Sequence, residues 1–387
     1  MLDLKKEINS KKKQGYYRKR LVTESPQDVY IKLDNKKVIN FTSNDYLGLA
    51  NNKLIKKAFI MGAEKYGVGS GSSPLISGYS IAHKKLEEEI SEYLGFESTL
   101  VTNSGYLANV GLINAISEKN LIIFQDKLNH NSIIESSRLA SNKLVRYRHL
   151  SCDDLESKIV AYKLNKKIIF SDSVFSMTGE TSDLKKLSAI AKKNNALFFI
   201  DDAHGFCVMK KEKSLKLPSS FLYQGLSNNN IDAYMGTFGK AVGTFGSFIS
   251  GSKDLIGLLV QKSKPYIYST SIPPSIVEAT RASLKIIIKN KSLNDRLAEN
   301  IKFFKDTAEL YNLNINKSMM PIQTITLGSP ELVMKIQKLA LDKKLFVQAI
   351  RYPTVPKNKD LIRINITSNH TKKHIKELLV FLANQLV

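Results

Sequence analysis

Cysteine is scarce in this 387-residue chain: only Cys152 and Cys207 occur. They are far apart and form neither a CxxC pair nor a metal-ligand pattern, which excludes a disulfide framework and a zinc site and points to a reducing compartment. Long apolar runs are also missing. The stretch Met1–Arg20 is rich in Lys and Arg and lacks the apolar core of a signal peptide, and no segment is long and apolar enough to span a bilayer. A cytoplasmic protein without a membrane partner is expected. Acidic side chains are in short supply as well, 35 against 58 basic ones, for a net charge of +23. The excess is mostly lysine and is spread along the chain. It is dense only at Lys11, Lys12, Lys13, Arg18, Lys19 and Arg20 and around Lys210, Lys211 and Lys213, without interleaved aromatics. Nucleic acid is therefore not an expected partner; a Lys-biased solvated surface is the plainer reading of the charge, and coenzyme A phosphates or an acidic acyl carrier protein are the anionic partners it leaves open.

The 43% of apolar residues can fill a sizeable core. Short β-branched runs at Ser98–Thr102, Leu121–Phe124, Lys167–Ser171, Ala196–Ile200, Asp232–Thr237 and Phe245–Ser250 alternate with stretches of helical periodicity at His83–Leu94, Gly105–Ser117, Asn131–Ala140 and Leu184–Asn194. This is the rhythm of a mostly parallel sheet covered by helices, an α/β fold. After about Leu284 the pattern becomes that of a smaller α+β domain, with a helix near Asn294–Tyr311, strands at Ile322–Leu327, Leu345–Ala349 and Leu361–Asn365, and a closing helix. Val29–Leu33 and Val38–Phe41 flank the turn signal Asp34-Asn35 and read as a hairpin. The expected divisions are 1–44, an N-terminal helix and hairpin joining the small domain; 45–285, the large domain; and 286–387, the small C-terminal domain. Lys210–Asn230 reads as a surface loop.

Several residues at expected strand ends carry chemistry. The apolar run Ala196–Ile200 ends in Asp201-Asp-Ala-His204, and strand carboxyl ends are where open α/β sheets put ligands. A carboxylate there is costly unless it meets a cation or a helix terminus, and a helix cap is as good a reading of this segment alone. Lys240 lies in a glycine-containing turn after the run Asp232–Thr237. A desolvated lysine there would lose proton affinity and become the neutral amine that Schiff-base chemistry with an aldehyde cofactor needs; a solvated turn lysine is the plainer alternative. Ser104, Gly105 and Tyr106 stand at a strand-to-helix junction, where free N–H groups favour a phosphate, with Ser176 and Thr237 as further hydroxyl donors. His130 follows another strand, and its flat ring could cover a cofactor face.

In this order the blocks Ser43-Asn-Asp-Tyr-Leu-Gly-Leu49, Gly69-Ser-Gly71, Ile76-Ser-Gly-Tyr79, Asp201-Asp-Ala-His-Gly205, Thr237-Phe-Gly-Lys240, Ile267-Tyr-Ser-Thr-Ser271 and Ile350-Arg-Tyr-Pro-Thr-Val355 resemble the α-oxoamine synthases, pyridoxal-phosphate enzymes of the aspartate-aminotransferase fold type I. The resemblance covers almost the whole chain. It implies a large domain with a mostly parallel, seven-stranded-type sheet, pyridoxal 5'-phosphate as cofactor, and a homodimer with its active sites at the interface.

By the same resemblance, Lys240 matches the Schiff-base lysine, Asp201 the partner of the pyridinium nitrogen, His204 the group bonded to the ring oxygen, and His130 the stacking ring. Gly105, Tyr106, Ser176 and Thr237 match phosphate or cofactor contacts, and Thr270 a position serving the neighbouring subunit's site. Arg18, Asn44, Arg351 and Thr354 match positions near the substrates, with Arg351 as the clamp for the amino-acid carboxylate. The implied reaction is a decarboxylative condensation of L-alanine with a pimeloyl thioester in biotin synthesis, the alternative being a relative that uses glycine and acetyl-coenzyme A. Thr178 departs from the family, which usually has Asp there, and Ser72 with Pro74 interrupts a stretch more often rich in Gly and Arg.

Overall fold

The computed structural model describes residues 3–140, 142–209 and 217–386 of the chain. These fall into two compact units. One takes in the described residues of Asn51–Phe175 and Thr181–Asn294, the other those of Met1–Ala50, Ser176–Glu180 and Asp295–Val387.

Strands are numbered along the whole chain. The hairpin β1 (Tyr30–Leu33) and β2 (Lys36–Asn40) belongs to the smaller unit. The larger unit holds β3 (Ser98–Thr102), β4 (Leu121–Asp126), β5 (Lys143–Tyr147), β6 (Lys166–Asp172), β7 (Leu197–Asp201), β8 (Ala233–Thr237) and β9 (Ser247–Gly251). They form one seven-stranded sheet in the order β3-β9-β8-β7-β6-β4-β5. Every neighbouring pair is parallel except those of β9, which runs antiparallel to β8 and β3. The α/β reading is correct, and the reason is visible strand by strand: β4, β6, β7 and β8 are almost entirely buried, as strands covered on both faces must be.

The crossover helices start where short polar side chains can cap them. Ser104 accepts from Leu107 N before Gly105–Ile116, Ser151 from Asp154 N before Cys152–Ile159, and Asp183 from Lys186 N before Leu184–Lys193. Helix Ile81–Leu94 stops at Gly95, whose φ of 80° places it in the left-handed region. One sheet face packs Phe170, Phe199 and Met235 against Leu112, Ile113 and Ile133. Phe96, Phe206, Phe221, Tyr234 and Phe248 form an aromatic cluster with centroids 5.0–6.4 Å apart. Burial of each such ring contributes about 2 kcal/mol.

The structure also differs from expectation. β5 is an edge strand with only Tyr147 fully buried, and its mixed Lys-Leu-Val-Arg-Tyr pattern carries no strand signal. Of the expected surface loop Lys210–Asn230, residues 210–216, and with them the basic group Lys210, Lys211 and Lys213, lie outside the described residues. Leu217, Ser219, Ser220 and Phe221 are buried, because Ser220 and Phe221 fold back on Asp202 and the aromatic cluster.

In the smaller unit, β1 and β2 pair antiparallel across Asp34 and Asn35, whose φ values of 44° and 65° are those of the tight hairpin turn the sequence signals. β11 (Leu345–Phe346) adds to β2 in parallel, and β10 (Ile322–Thr326), β13 (Leu361–Asn365) and β12 (Gln348–Ile350) make a second antiparallel sheet. Helices Pro330–Asp342 and Lys372–Leu386 accompany these sheets. No helix among the described residues is long and apolar enough to cross a membrane.

Candidate active site

Three adjacent parallel strands of the large sheet end in aspartate: Asp126 on β4, Asp172 on β6 and Asp201 on β7. Register sets Asp172 beside Asp201. Both are buried, and Asp201 shares its strand face with Phe199, two residues back. Helix Gly105–Ile116 covers that face, and from it Asn109 Nδ2 donates to Asp201 Oδ2 at 2.7 Å; Ala203 N donates to Oδ1 at 3.0 Å. Asn109 also donates to Ser132 at 2.8 Å, which ties the helix to the turn carrying His130.

His130 caps helix Asn131–Leu139: its Nδ1 faces the Ser132 hydroxyl at 2.8 Å and accepts from Ser132 N, and its own N–H donates to Asp172 Oδ2 at 2.9 Å. Its proton affinity is lowered by loss of water around the ring; the Asp201 carboxylate opposes this and the Lys240 charge adds to it. His130, Asp201 and Lys240 thus occupy one electrostatic neighbourhood. Lys240 sits half-buried in the turn after β8. Burial drives Asp172 well above the ordinary carboxylate range, with Asp201 repelling its charge, while the His130 N–H and Lys240 act the other way.

The next residue behaves differently. Asp202 accepts from the Ser173 hydroxyl, from both the main-chain N–H (2.9 Å) and the hydroxyl of Ser220, and from Tyr234 Oη at 2.6 Å, so its oxygens are filled by protein. His204 is buried, and the Thr237 hydroxyl donates to Ala203 O at 3.3 Å. Gly105 is obligatory by space: a Cβ there would lie 2.8 Å from Thr237 Cγ2, so the helix start comes directly onto the end of β8. Tyr106 and Thr270 are exposed, and Asn103 Nδ2 donates to the Thr270 carbonyl at 2.9 Å.

The remaining expected residues belong to the smaller unit. Arg18 Nη2 donates to Thr354 Oγ1 at 3.2 Å, and Arg351 Nη1 donates to the Gly15 carbonyl. Asn44 Oδ1 accepts from Tyr46 Oη (3.1 Å), Arg363 Nη2 (3.2 Å) and Asn365 Nδ2 (3.1 Å), and the Ser176 carbonyl accepts from Arg363 Nε at 2.9 Å. Sequence reasoning misses Arg363. It is a buried guanidinium on β13 that joins two expected site residues, and a lone arginine in the apolar alternation Leu361-Ile-Arg-Ile is the signal that could have found it. Asn109 and Asp172 are missed too, since nothing local marks them.

The chain belongs to the aminotransferase class I and II family, which matches residues 36–382. Within it, the chain is 38% identical to the 8-amino-7-oxononanoate synthase of Saccharophagus degradans over 383 residues, covering 98% of this chain and 96% of that one. Its fold is that of a serine palmitoyltransferase from S. paucimobilis solved with bound PLP–myriocin, at a TM-score of 0.91 and 25% identity, covering 99% and 96% of the two chains. The 8-amino-7-oxononanoate synthase of Francisella tularensis superposes with a TM-score of 0.78 at 28% identity, covering 90% and 98%. The chain is accordingly an enzyme of the acyltransferase type within this pyridoxal-phosphate-dependent family.

Proposed function

We propose that the chain is a cytoplasmic enzyme that condenses L-alanine with a pimeloyl thioester, releasing 8-amino-7-oxononanoate, carbon dioxide and the free thiol, a step of biotin synthesis. The observation that carries this reading is the buried Asp201 carboxylate in one electrostatic neighbourhood with Lys240 and His130 at the carboxyl edge of the sheet, in a chain similar over its whole length to enzymes of that name.

The residues present suit pyridoxal phosphate. A buried anion with one donor on each oxygen keeps lone pairs for a pyridinium N–H. An amine stands nearby, and the first N–H groups of helix Gly105–Ile116 have no partner within the helix and can receive a phosphate. When bound, the cofactor supplies an aldehyde that takes up an amine and a protonated ring that accepts the electron pair left on a substrate carbon. Lys240 Nζ would hold that aldehyde and would also serve as the base that takes the α-proton of the amino acid. Asp201 keeps the ring nitrogen protonated, His130 covers the ring and keeps water from that face, and His204 hydrogen-bonds the ring oxygen. Gly105, Tyr106, Ser176 and Thr237 hold the phosphate or the ring. Arg18, Asn44, Arg351 and Thr354 receive the substrates, Arg351 clamping the amino-acid carboxylate, while Arg363 braces Asn44 and Ser176.

A homodimer goes with this reading, Thr270 serving the neighbouring subunit's site. Exposed apolar side chains on the larger unit support it, among them Val68, Ile76 and Tyr268, at least 80% exposed. The net charge of +23 favours an acyl donor carried on coenzyme A or on an acidic acyl carrier protein.

Thiol release tests the proposal, with alanine or glycine crossed against pimeloyl- or acetyl-coenzyme A. Release with alanine and the pimeloyl donor alone is expected. A preference for glycine and the acetyl donor would move the chain to the glycine-using relatives, and no release with any pair would refute the acyl transfer.

A further inference from the structure

One buried acid has no part in the roles assigned above. Asp172 ends β6 in register with Asp201 at the end of β7, the two being 3% and 4% exposed. Two carboxylates side by side and out of water do not both ionise cheaply. Their donors decide which keeps the charge, because hydrogen bonds to the charged form favour it. Asp201 receives an N–H on each oxygen, from Asn109 and Ala203. Among the described residues Asp172 receives only the His130 N–H, on Oδ2, and its buried Oδ1 has no hydrogen-bond partner. A carboxylate stranded in that way is costly, whereas a carboxylic acid places its hydroxyl on the oxygen that lacks a donor.

The neighbouring charges agree. Asp201 on β7 and Asp126 on β4 both repel a negative Asp172, and Tyr147 on β5 is near enough for its own ionisation to be opposed by Asp172. Lys240, after β8, is the cation that acts the other way, and the His130 side chain, held below the ordinary histidine range, supplies no compensating charge.

We propose that Asp172 is a positioning residue that carries the proton of an acid–carboxylate pair with Asp201. The single negative charge of the pair then stays on Asp201, and Asp172 Oδ2, the unprotonated oxygen of the acid, anchors the His130 turn by accepting from the His130 main-chain N–H. Asp172 touches neither substrate nor cofactor in this role. It acts through its two neighbours, keeping one charged and the other in place. The role deepens the proposed function, on which its catalytic consequence rests, but the position of the proton does not depend on that reading.

Asparagine at this position has the same shape and is neutral, so Asp172→Asn replaces the acid and Asp172→Leu removes it. Unfolding of the full chain is measured from about pH 4 to about pH 8 for wild type and both variants, alongside kcat and KM. A carboxyl that keeps its proton in the fold but loses it on unfolding makes wild type fall behind the Asn variant as pH rises. The ratio of their folding constants changes by up to about tenfold per pH unit above the ordinary carboxyl range. The expected results are that slope, kcat within about threefold of wild type for Asp172→Asn, and a loss of at least about tenfold in kcat for Asp172→Leu at little change in KM. A flat difference between wild type and Asp172→Asn, or one of opposite sign, shows an ionised Asp172 and overturns the proposal. So does an Asn variant as slow as the Leu variant. The unfolding series uses no substrate, so it gives its answer even if thiol release finds no acyl transfer.

Discussion

Asp201 and Asp202 are chemically identical, consecutive and both buried, yet the ground on either side of the end of β7 differs. On the Asp202 side, three hydroxyls and an amide converge on the carboxylate beside the aromatic cluster of Phe206, Phe221 and Tyr234. Burial pushes Asp202 toward its protonated form, and those donors oppose the push. On the Asp201 side there are two donors, a second carboxyl group, a histidine and a lysine. The difference teaches how a fold divides labour between like residues. The carboxylate whose lone pairs are filled by its own chain holds the structure together, and the one left with spare lone pairs among titratable neighbours is available for chemistry.

Substitutions can break this comparison. The largest effect is expected from Asp201→Ala, which should lower kcat by about 10³-fold, since on the proposed function it removes the charge partner of the cofactor ring. Steady-state kinetics and deuterium exchange at the α-carbon of alanine read it, and near-normal exchange would contradict the role. Asp202→Ala should do the reverse. It leaves several buried donors unsatisfied and should lose about 3 kcal/mol of unfolding free energy in denaturant, while kcat per folded molecule changes only a few-fold. A catalytic loss as large as that of Asp201→Ala would erase the distinction.

The smaller unit supplies a sealed polar group of its own for comparison. His370 stacks on Phe41 with centroids 4.4 Å apart, its Nδ1 accepts from Thr367 N at 3.0 Å, and its Nε2 faces the Asn40 carbonyl at 3.1 Å. Burial holds it down to about 3, with the nearby His374 acting in the same direction. The unfolded chain binds a proton at this residue below about pH 6.5 and the folded chain does not. Stability should therefore fall as pH drops from there toward about 3, by up to about 1.4 kcal/mol per pH unit from this group. Denaturation of His370→Asn should lack that part of the slope, and an unchanged slope would show that the histidine is already charged in the fold. The smallest effect is expected from Tyr234→Phe, which takes one donor from Asp202 and should cost about 1 kcal/mol in the same assay with kcat unaltered.

Much of this molecule can be read without coordinates, for a physical reason. Strands covered on both faces must be continuous apolar runs, so β6, β7 and β8 are marked in the sequence almost to their ends, whereas edge strand β5, half in water, is not. Asp201, His130 and Lys240 stand out because polar groups directly after such runs need explaining. Asn109, Asp172 and Arg363 do not stand out, because what makes each of them matter is a partner supplied by register or helix docking: Asp201 for the first two, Asn44 and Ser176 for the third. The burial of Ser220 and Phe221 in a segment of polar composition escapes notice for the same reason. Their value lies in what they reach across to.

The central claim is that Lys240 is the residue that holds the cofactor. Borohydride reduction of the protein loaded with pyridoxal phosphate, followed by proteolysis and mass spectrometry, tests it most directly, because reduction makes the bond between the aldehyde and its lysine permanent. The account predicts one dominant modified peptide, the one containing Lys240, and none in Lys240→Ala. Modification centred on another lysine, or a Lys240 peptide left unmodified while the protein retains bound cofactor, would contradict it.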